Sequence, residues 1–260
     1  MHTRHMDVAA REREFVRVAG PDAADYLQRM VSNDVEALRV GEACPALLLT
    51  AKARVIAPLV VLRRDDDDFL LLTEPGLGGP VSAQLTRMRL RAQCEIEPEE
   101  HAAVLVFGGG QGFATDWAGA REALDAGLEP TLSDEELELL RIESGVPCWE
   151  HEIDDRILPA EAGLESTHIS FSKGCYPGQE PIARLHYRGH ANRGLRVLAW
   201  EGSELPEYDA PVEFEGKDVG RVTSAARDGD RVVALAYVRM EVPAEAELRV
   251  ENAAVRPLGS

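Results

Sequence analysis

One short stretch of the chain, residues 172–180, combines a thiol, an amine, two glycines and an adjacent amide and carboxylate. Gly178 suits a helix N-cap and Pro181 suits a first helical turn, so the stretch is predicted to lead into a helix. A thiol placed before a helix N-terminus and near a lysine favours the thiolate, because the helix dipole and the ammonium both stabilise negative charge. Cys175 and Lys173 are therefore the candidate catalytic residues. The alternative is that Cys175 is a small buried side chain in a glycine turn.

Three segments of the sequence resemble motifs of one known group of proteins. The signature Lys-Gly-Cys-Tyr-x-Gly-Gln-Glu at residues 173–180 resembles that of the YgfZ family, folate-binding iron–sulfur assembly factors related to the glycine-cleavage T-protein. Residues 16–35 resemble the opening helix and Ser-Asn-Asp-Val turn of T-protein relatives, and residues 141–147 carry their Arg-Ile-Glu-x-Gly-x-Pro segment. Since the likeness covers nearly the whole chain, the sequence is identified as a member of the YgfZ family.

The resemblance implies a cofactor, tetrahydrofolate or a one-carbon derivative of it, and a set of residues to bind it. In the folate enzymes of this superfamily the glutamate of Arg-Ile-Glu binds the pterin ring, so Glu143 is expected to accept two parallel hydrogen bonds from the 2-amino-pyrimidinone edge. Tyr176, Gln179 and Glu180 are assigned to the same cofactor site, where Gln179 and Glu180 would fix the loop by hydrogen bonds. Arg184 is expected to face the anionic end of the folate.

The function that the resemblance implies is support of iron–sulfur cluster assembly or repair, with Cys175 handling sulfur, iron or a disulfide partner. The expected partners are the folate and iron–sulfur client or assembly proteins. A folate-dependent aminomethyltransferase or demethylase of the T-protein type is one alternative, and a non-catalytic folate-binding scaffold is another. In the aminomethyltransferases a hairpin carboxylate assists chemistry at the folate nitrogen. The equivalent stretch here, residues 53–58, has none, and acid–base catalysis needs a titratable group, so an accessory protein is favoured over an active enzyme.

Three other patterns could form a metal or phosphate site, but each is better explained by a structural role. Four consecutive aspartates at residues 65–68 are typical of a solvated hairpin tip, because metal sites need ligands that converge from several elements. The glycines of residues 108–112 fit neither a P-loop nor a dinucleotide fingerprint and predict a flexible turn. His186 and His190 have the spacing of one helix face, but no third ligand accompanies them. No metal site is therefore predicted.

The composition is that of a globular protein with an acidic surface. The 260 residues are 45% hydrophobic, and the net charge is −18. This charge argues against nucleic acid or an anionic membrane as the main partner, because both would repel the chain at long range. It does not exclude a local basic pocket, since a cluster of arginines lies near the cysteine motif, namely Arg184, Arg188, Arg193 and Arg196. The alternative is that they form a solvated helix face. No apolar run approaches the ~20 residues of a membrane span, and four scattered cysteines favour a reducing cytoplasm.

The elements that must position these residues predict an α+β fold. Residues 7–192 are expected to form a T-protein-like folate-binding domain of antiparallel sheets with helices, and residues 193–260 a small antiparallel β-barrel. A helix follows Asp22 with Ala23, Tyr26, Leu27 and Met30 inward, a second spans residues 80–90 with Val81, Leu85 and Met88 inward, and a third opens at the capping box of Ser133 with Leu137, Leu140 and Ile142 inward. Strands are predicted at residues 14–18, 46–49, 55–62, 69–73, 104–107, 195–200, 211–214, 219–224, 232–238 and 248–250.

Overall fold

The computed structural model describes residues 6–258 and has an α+β architecture, as predicted. The chain forms two compact units. The first comprises the chain up to Ser133 together with Leu164–Ala183, and the second comprises Asp134–Gly163 together with the chain from Arg184 onward. Each unit is therefore built from two separate segments of the sequence. No helix within residues 6–258 is long and apolar enough to cross a membrane.

The elements follow one another as short strands and short helices. The helices are α1 (Ala23–Met30), α2 (Gly78–Met88), α3 (Asp134–Glu143), α4 (Glu165–His168) and α5 (Gln179–Arg188). The strands are β1 (Asp7–Arg11), β2 (Glu14–Ala19), β3 (Ala43–Leu49), β4 (Val55–Asp65), β5 (Asp68–Thr73), β6 (Glu95–Glu99), β7 (Ala103–Phe107), β8 (Phe113–Ala114), β9 (Ala120–Leu124), β10 (Arg193–Glu201), β11 (Pro211–Phe214), β12 (Lys217–Asp228), β13 (Arg231–Arg239), β14 (Leu248–Val250) and β15 (Ala253–Pro257).

Two antiparallel sheets form the strand framework of the first unit. One has the order β3-β4-β5-β2-β6, and the other has the order β1-β7-β9-β8. Strands β4 and β5 are almost continuous apolar runs because they lie in the centre of the larger sheet and are buried along most of their length. The predicted acidic hairpin tip is confirmed, since Asp65 pairs with Asp68 and the two aspartates between them form the turn.

The helices of the first unit follow their predicted apolar faces with one exception. Helix α1 buries the four expected side chains, and α2 buries Val81 and Leu85. The prediction that Met88 points inward is wrong, because α2 ends at this residue and its side chain is 40% exposed. The chain then turns at Leu90, whose φ is +49° and whose side chain is 88% exposed.

The second unit contains a closed antiparallel barrel with the strand order β10-β13-β12-β11-β14-β15. The predicted barrel is confirmed, with β15 as an additional strand that completes the circle. Helix α3 packs on β12 and β13 and buries Ile142 against Val233 and Leu235. The predicted stop at Gly145 is also confirmed: its φ is +68°, and its N–H donates to the carbonyl of Ile142 at 3.0 Å.

Residues 134–163 belong to the compact unit that contains the barrel, not to the unit that contains the two sheets. The physical reason is that α3 buries its apolar side chains on barrel strands. The compact units thus have other boundaries than the predicted segments 7–192 and 193–260. The division of the chain into two continuous domains stays a prediction. The third change of unit falls within α5, between residues 183 and 184.

A histidine connects the two sheets of the first unit. His101 Nδ1 lies 2.7 Å from Asp125, which follows β9, and its Nε2 lies 2.9 Å from Glu99, the last residue of β6. The ring also packs edge-on against Phe15 of β2, with 5.2 Å between the ring centroids. Burial works against the imidazolium, but the two carboxylates outweigh it and raise the pKa of His101.

We predict that this contribution to stability falls as the pH rises. Because the folded-state pKa of His101 is raised, its ion pairs stabilise the fold fully below about pH 6 and are lost as the pH passes the raised value. The free energy of unfolding of wild type should exceed that of His101→Gln by about 1 kcal/mol or less at low pH, and the difference should shrink in alkaline buffer. Denaturant titrations at several pH values measure it. His190→Gln, at an exposed position, is the control, and a pH-independent difference for His101→Gln would contradict the assignment.

Candidate functional site

The cysteine loop, residues 169–178, connects α4 to α5 in the first unit. Cys175 is a free, exposed cysteine on this loop, so the alternative that it is a small buried side chain is wrong. Its neighbours in the motif differ, because Lys173 and Tyr176 are buried. The loop therefore presents its thiol to solvent while the flanking side chains anchor it to the unit.

Lys173 is one of these anchors. Its ammonium donates hydrogen bonds to the carbonyl oxygens of Val31 at 2.8 Å and Asn33 at 2.6 Å, and it lies 5.4 Å from the centroid of the Tyr176 ring. Burial lowers the pKa of Lys173 to about 8, although nearby groups including Asp34 oppose the shift. The lysine thus attaches the loop to the turn after α1, and its role in favouring a Cys175 thiolate stays a prediction.

The same turn holds the residues before the cysteine loop. Ser32 Oγ donates to the carbonyl of His168 at 2.6 Å and accepts from the backbone N–H of Leu47 at 2.8 Å. Asn33 Nδ2 donates to the carbonyl of Thr167 at 3.0 Å. The Ser-Asn pair of the predicted turn therefore joins α1, β3 and α4 at one point. We call residues 31–33 the anchor turn.

On its other side the cysteine loop packs against the β3–β4 turn, residues 50–54. Gly178 has a φ of +85°, and a Cβ at this position would lie 2.7 Å from the carbonyl oxygen of Thr50 and 3.0 Å from the Cα of Ala53. Helix α5 begins at Gln179, so the predicted helix start directly after Gly178 is confirmed. Glycine is required here both by the backbone conformation and by the close approach of the turn.

The two glycines of the cysteine motif are predicted to differ in what they tolerate. Gly178→Ala forces a Cβ into the β3–β4 turn at a positive φ, so it should lower the free energy of unfolding by about 1–3 kcal/mol and loosen the loop. Gly174→Ala is the matched control, because no atom lies within 4 Å of the position of its added Cβ. Thermal unfolding and hydrogen exchange of residues 169–178 measure both variants. Equal tolerance at the two positions would contradict the packing described here.

The β3–β4 turn itself bears on the alternative of a T-protein-type enzyme. Its backbone is closed by a hydrogen bond from the N–H of Ala53 to the carbonyl of Thr50 at 2.9 Å, and Ala53 is buried with a φ of +59°. No aspartate or glutamate occurs between residues 43 and 64. The turn beside the cysteine loop therefore offers no carboxylate for acid–base chemistry.

Glu143, the residue expected to bind the pterin, is the last residue of α3 in the second unit. Its Oε1 lies 2.8 Å from Arg231, which also pairs with Asp228 at 2.7 Å. The Glu143 side chain is about one-third exposed, with a relative accessibility of 33%. A carboxylate that accepts from a guanidinium has the chemistry to accept from the 2-amino-pyrimidinone edge of a pterin, so this residue fits the group assigned to it.

The remaining predicted residues lie along α5. Gln179 is half-buried at its start, Glu180 is exposed, and Arg184 is exposed in the second unit. Among the described residues, the side chains of Gln179 and Glu180 form no hydrogen bond to the cysteine loop. The loop is held instead by Lys173, by the anchor turn and by packing at Gly178. Their assignment to the cofactor site, like that of Tyr176 and Arg184, stays a prediction.

The sequence analysis missed a buried ionic network in the second unit. Arg141 forms a bidentate pair with Glu138 at 2.7 and 2.8 Å and donates to Glu152 at 2.9 Å and to Ser224 Oγ at 2.7 Å. Ser224 in turn donates to Glu152, which is fully buried. Burial works against the Glu152 carboxylate, but Arg141 and hydrogen bonds outweigh it and hold its pKa below the usual range. The sequence does contain a signal for this network, because Arg141 is the arginine of the Arg-Ile-Glu segment, two residues before Glu143.

A second missed network lies in the first unit. Arg13 forms a bidentate pair with Glu122 at 3.0 and 3.1 Å and also contacts Glu74 at 2.9 Å and Asp116 at 3.0 Å. The His168 side chain is buried close enough to interact electrostatically with Asp116 and Arg13, and burial lowers the pKa of His168 to about 4. The imidazole is therefore neutral near pH 7, and the residue serves the anchor turn through its carbonyl.

Within residues 6–258 no group of three or more histidine, cysteine, aspartate or glutamate side chains is arranged to hold a metal ion. The two histidines weighed as a metal pair do not share a helix face, because α5 ends at Arg188 and His190 lies beyond it. All four cysteines are free.

Comparisons with known proteins match both parts of the chain. The family model of the GCVT N-terminal domain matches residues 6–109, and the model of the CAF17 C-terminal β-barrel domain matches residues 192–258. A solved structure, the glycine cleavage system aminomethyltransferase T from Bartonella henselae, superposes with a TM-score of 0.77 at 19% identity, covering 98% of this chain and 85% of that one. The fold is thus that of the aminomethyltransferase T-proteins with a C-terminal barrel.

Two curated relatives with the same name match most of the chain. The chain is 28% identical to the tRNA-modifying protein YgfZ of Edwardsiella ictaluri, over 91% of this chain and 85% of the relative. It is 25% identical to the protein of the same name from Serratia proteamaculans, over 94% of this chain and 87% of the relative. The predicted resemblance to the YgfZ family, related to the glycine-cleavage T-protein, is therefore confirmed.

Proposed function

We propose that this protein binds tetrahydrofolate, or a one-carbon derivative of it, and supports iron–sulfur cluster assembly or repair. The observation that carries the proposal is the cysteine loop. A family-type motif is held rigidly by the anchor turn and the β3–β4 turn, yet it leaves one free thiol exposed. The relatives bear the name tRNA-modifying proteins, and we extend that setting to this chain. Four free cysteines support a reducing cytoplasm as its compartment.

Folate recognition in this proposal depends on Glu143. Bound tetrahydrofolate supplies a reduced pterin able to carry a one-carbon unit. The Glu143 carboxylate accepts hydrogen bonds from the pyrimidinone edge, in place of or beside those from Arg231. Arg184 offers an exposed guanidinium to the anionic end of the folate. Tyr176, Gln179 and Glu180 complete the assignment on the cysteine loop and the first turn of α5.

Cys175 is the residue we propose to handle sulfur, iron or a disulfide partner. Its exposure supports this role, because a nucleophilic or ligating thiol must be reached by its partner. Two other cysteines are poorer candidates, since burial raises the pKa values of Cys44 and Cys148 to about 12 and keeps them protonated near neutral pH.

An active aminomethyltransferase is the second candidate function, favoured by the T-protein fold alone. The absence of any carboxylate between residues 43 and 64 argues against it. Formation of methylene-tetrahydrofolate from a methylamine donor would establish this alternative.

Folate binding is tested by calorimetric titration of tetrahydrofolate and its 5-formyl derivative. Wild type should show saturable binding, and Glu143→Ala should weaken it by at least about tenfold because a bidentate charge-assisted contact is lost. Asp228→Ala is the matched control. It removes the other carboxylate that pairs with Arg231 and should leave the affinity unchanged. Absence of binding to wild type would refute the folate proposal, and equal losses in both variants would remove Glu143 from it.

The thiol is tested by Cys175→Ala. The side chain is exposed, so the variant should keep its thermal stability and its affinity for tetrahydrofolate. In cells that lack the protein it should fail to restore the activity of iron–sulfur enzymes that wild type restores. Cys44→Ala serves as the control, with retained activity expected. Full restoration by Cys175→Ala would instead favour the non-catalytic folate-binding scaffold.

A further inference from the structure

One segment of this acidic chain contains no acidic residue. Of the 260 residues 46 are aspartate or glutamate, yet none occurs among residues 181–200, which include four arginines and two histidines. The segment covers most of α5 and of β10, and its exposed side chains lie in the second unit. It is therefore a local basic surface on a protein whose net charge is −18.

The exposed residues of α5 place charge and an aromatic ring side by side. Arg184, Tyr187 and Arg188 are separated by three and four residues, the spacing that brings side chains to one face of a helix. All three are exposed, and the tyrosine side chain is 68% accessible. In the part of the chain that the structure describes, neither arginine of this face forms an ion pair, whereas Arg193 pairs with Glu161 at 3.0 Å.

A pocket follows the end of α5. It has a volume of about 440 Å³ and is lined by His190, Asn192, Arg193, Arg239, Met240 and Glu241. Its lining combines two guanidiniums, an imidazole and a thioether with a single carboxylate. Met240 is 54% exposed at its rim. Both guanidiniums are ion-paired, Arg193 with Glu161 and Arg239 with Glu241 at 3.3 Å, so the pocket next to the helix offers flat and polarisable groups rather than free charge.

We propose that this surface of the second unit binds single-stranded RNA. The inference rests on the proposed function, which places the protein in tRNA modification, and names the chemistry of its partner. Phosphates match the unpaired guanidinium of Arg188, and unstacked bases match the exposed ring of Tyr187. Tyr187 and Arg188 are the central contacts, and the pocket at His190 receives a neighbouring nucleotide. Arg184 keeps its assignment to the folate.

The net charge does not prevent this contact. At physiological ionic strength the Debye length is about 8 Å, so exposed carboxylates farther than this from α5 are largely screened. The acid-free segment contributes no carboxylate, and the one carboxylate of α5, Glu180, lies about two helical turns before Arg188. Binding is consequently expected to be of moderate strength with a shallow dependence on salt, because few phosphates are neutralised.

The test is fluorescence anisotropy of a labelled single-stranded RNA of about 12 nucleotides with the full chain, across a salt series. Wild type should bind. Arg188→Glu should reduce the affinity by about tenfold or more and decrease the steepness of log K against log salt by about 0.7, the value of one phosphate contact. Tyr187→Ala should reduce the affinity by about fivefold or more with an unchanged slope, because it removes stacking and no charge.

Arg91→Glu is the matched control, since it reverses the charge of an exposed arginine in the first unit. It should bind RNA like wild type, and equal losses in Arg91→Glu and Arg188→Glu would overturn the inference by showing a response to net charge alone. Competition by poly-glutamate as effective as that by unlabelled RNA would assign the surface to an acidic polypeptide and also overturn it. If wild type binds tetrahydrofolate but no RNA, the RNA inference is wrong and the proposed folate binding stands. If wild type does not bind tetrahydrofolate, the proposed function is wrong.

Discussion

The position of the exposed thiol depends on one buried ammonium. Lys173 satisfies the carbonyls of Val31 and Asn33 at once, and an unpaired buried carbonyl would carry a free-energy cost of about 1–3 kcal/mol. The anchor turn, in turn, is fixed to β3 and α4 by the side chains of Ser32 and Asn33. The cysteine loop is consequently held by parts of the chain more than a hundred residues earlier, through the ammonium of Lys173, the backbone N–H of Ser170 on the carbonyl of Ser32, and the close approach at Gly178.

Local patterns in the sequence predicted local structure well. The apolar face of α1, the acidic hairpin tip, the glycine before α5 and most barrel strands follow from spacing and turn chemistry. Strand β6 was missed because its alternation of glutamates with one isoleucine and a proline lacks an apolar period, as is common at a sheet edge. The partners of Lys173 could not be predicted, since they are separated from it by 140 and 142 residues and no pattern encodes such pairings. Arg141 was missed because its motif directed attention to the neighbouring carboxylate.

Each compact unit also contains an arginine enclosed by carboxylates. Arg13 has a side-chain accessibility of 1% and Arg141 of 7%, so both guanidiniums have lost most of their contact with water. Such groups add little net stability relative to an apolar core, because desolvation offsets much of the attraction. Their effect is geometric. Removing either partner leaves an unpaired buried charge, and the segments that carry them, such as α3 on the barrel, are held in one arrangement.

The close approach of Gly178 to the β3–β4 turn has a consequence for sequence evolution. The two segments are more than a hundred residues apart in the chain, yet an insertion or a bulkier backbone path at residues 50–54 would collide with the cysteine loop. The sequences of the two segments are therefore expected to change together among homologues. A relative in which the β3–β4 hairpin is lengthened should carry a compensating change in the cysteine motif. A change in either segment therefore predicts a change in the other.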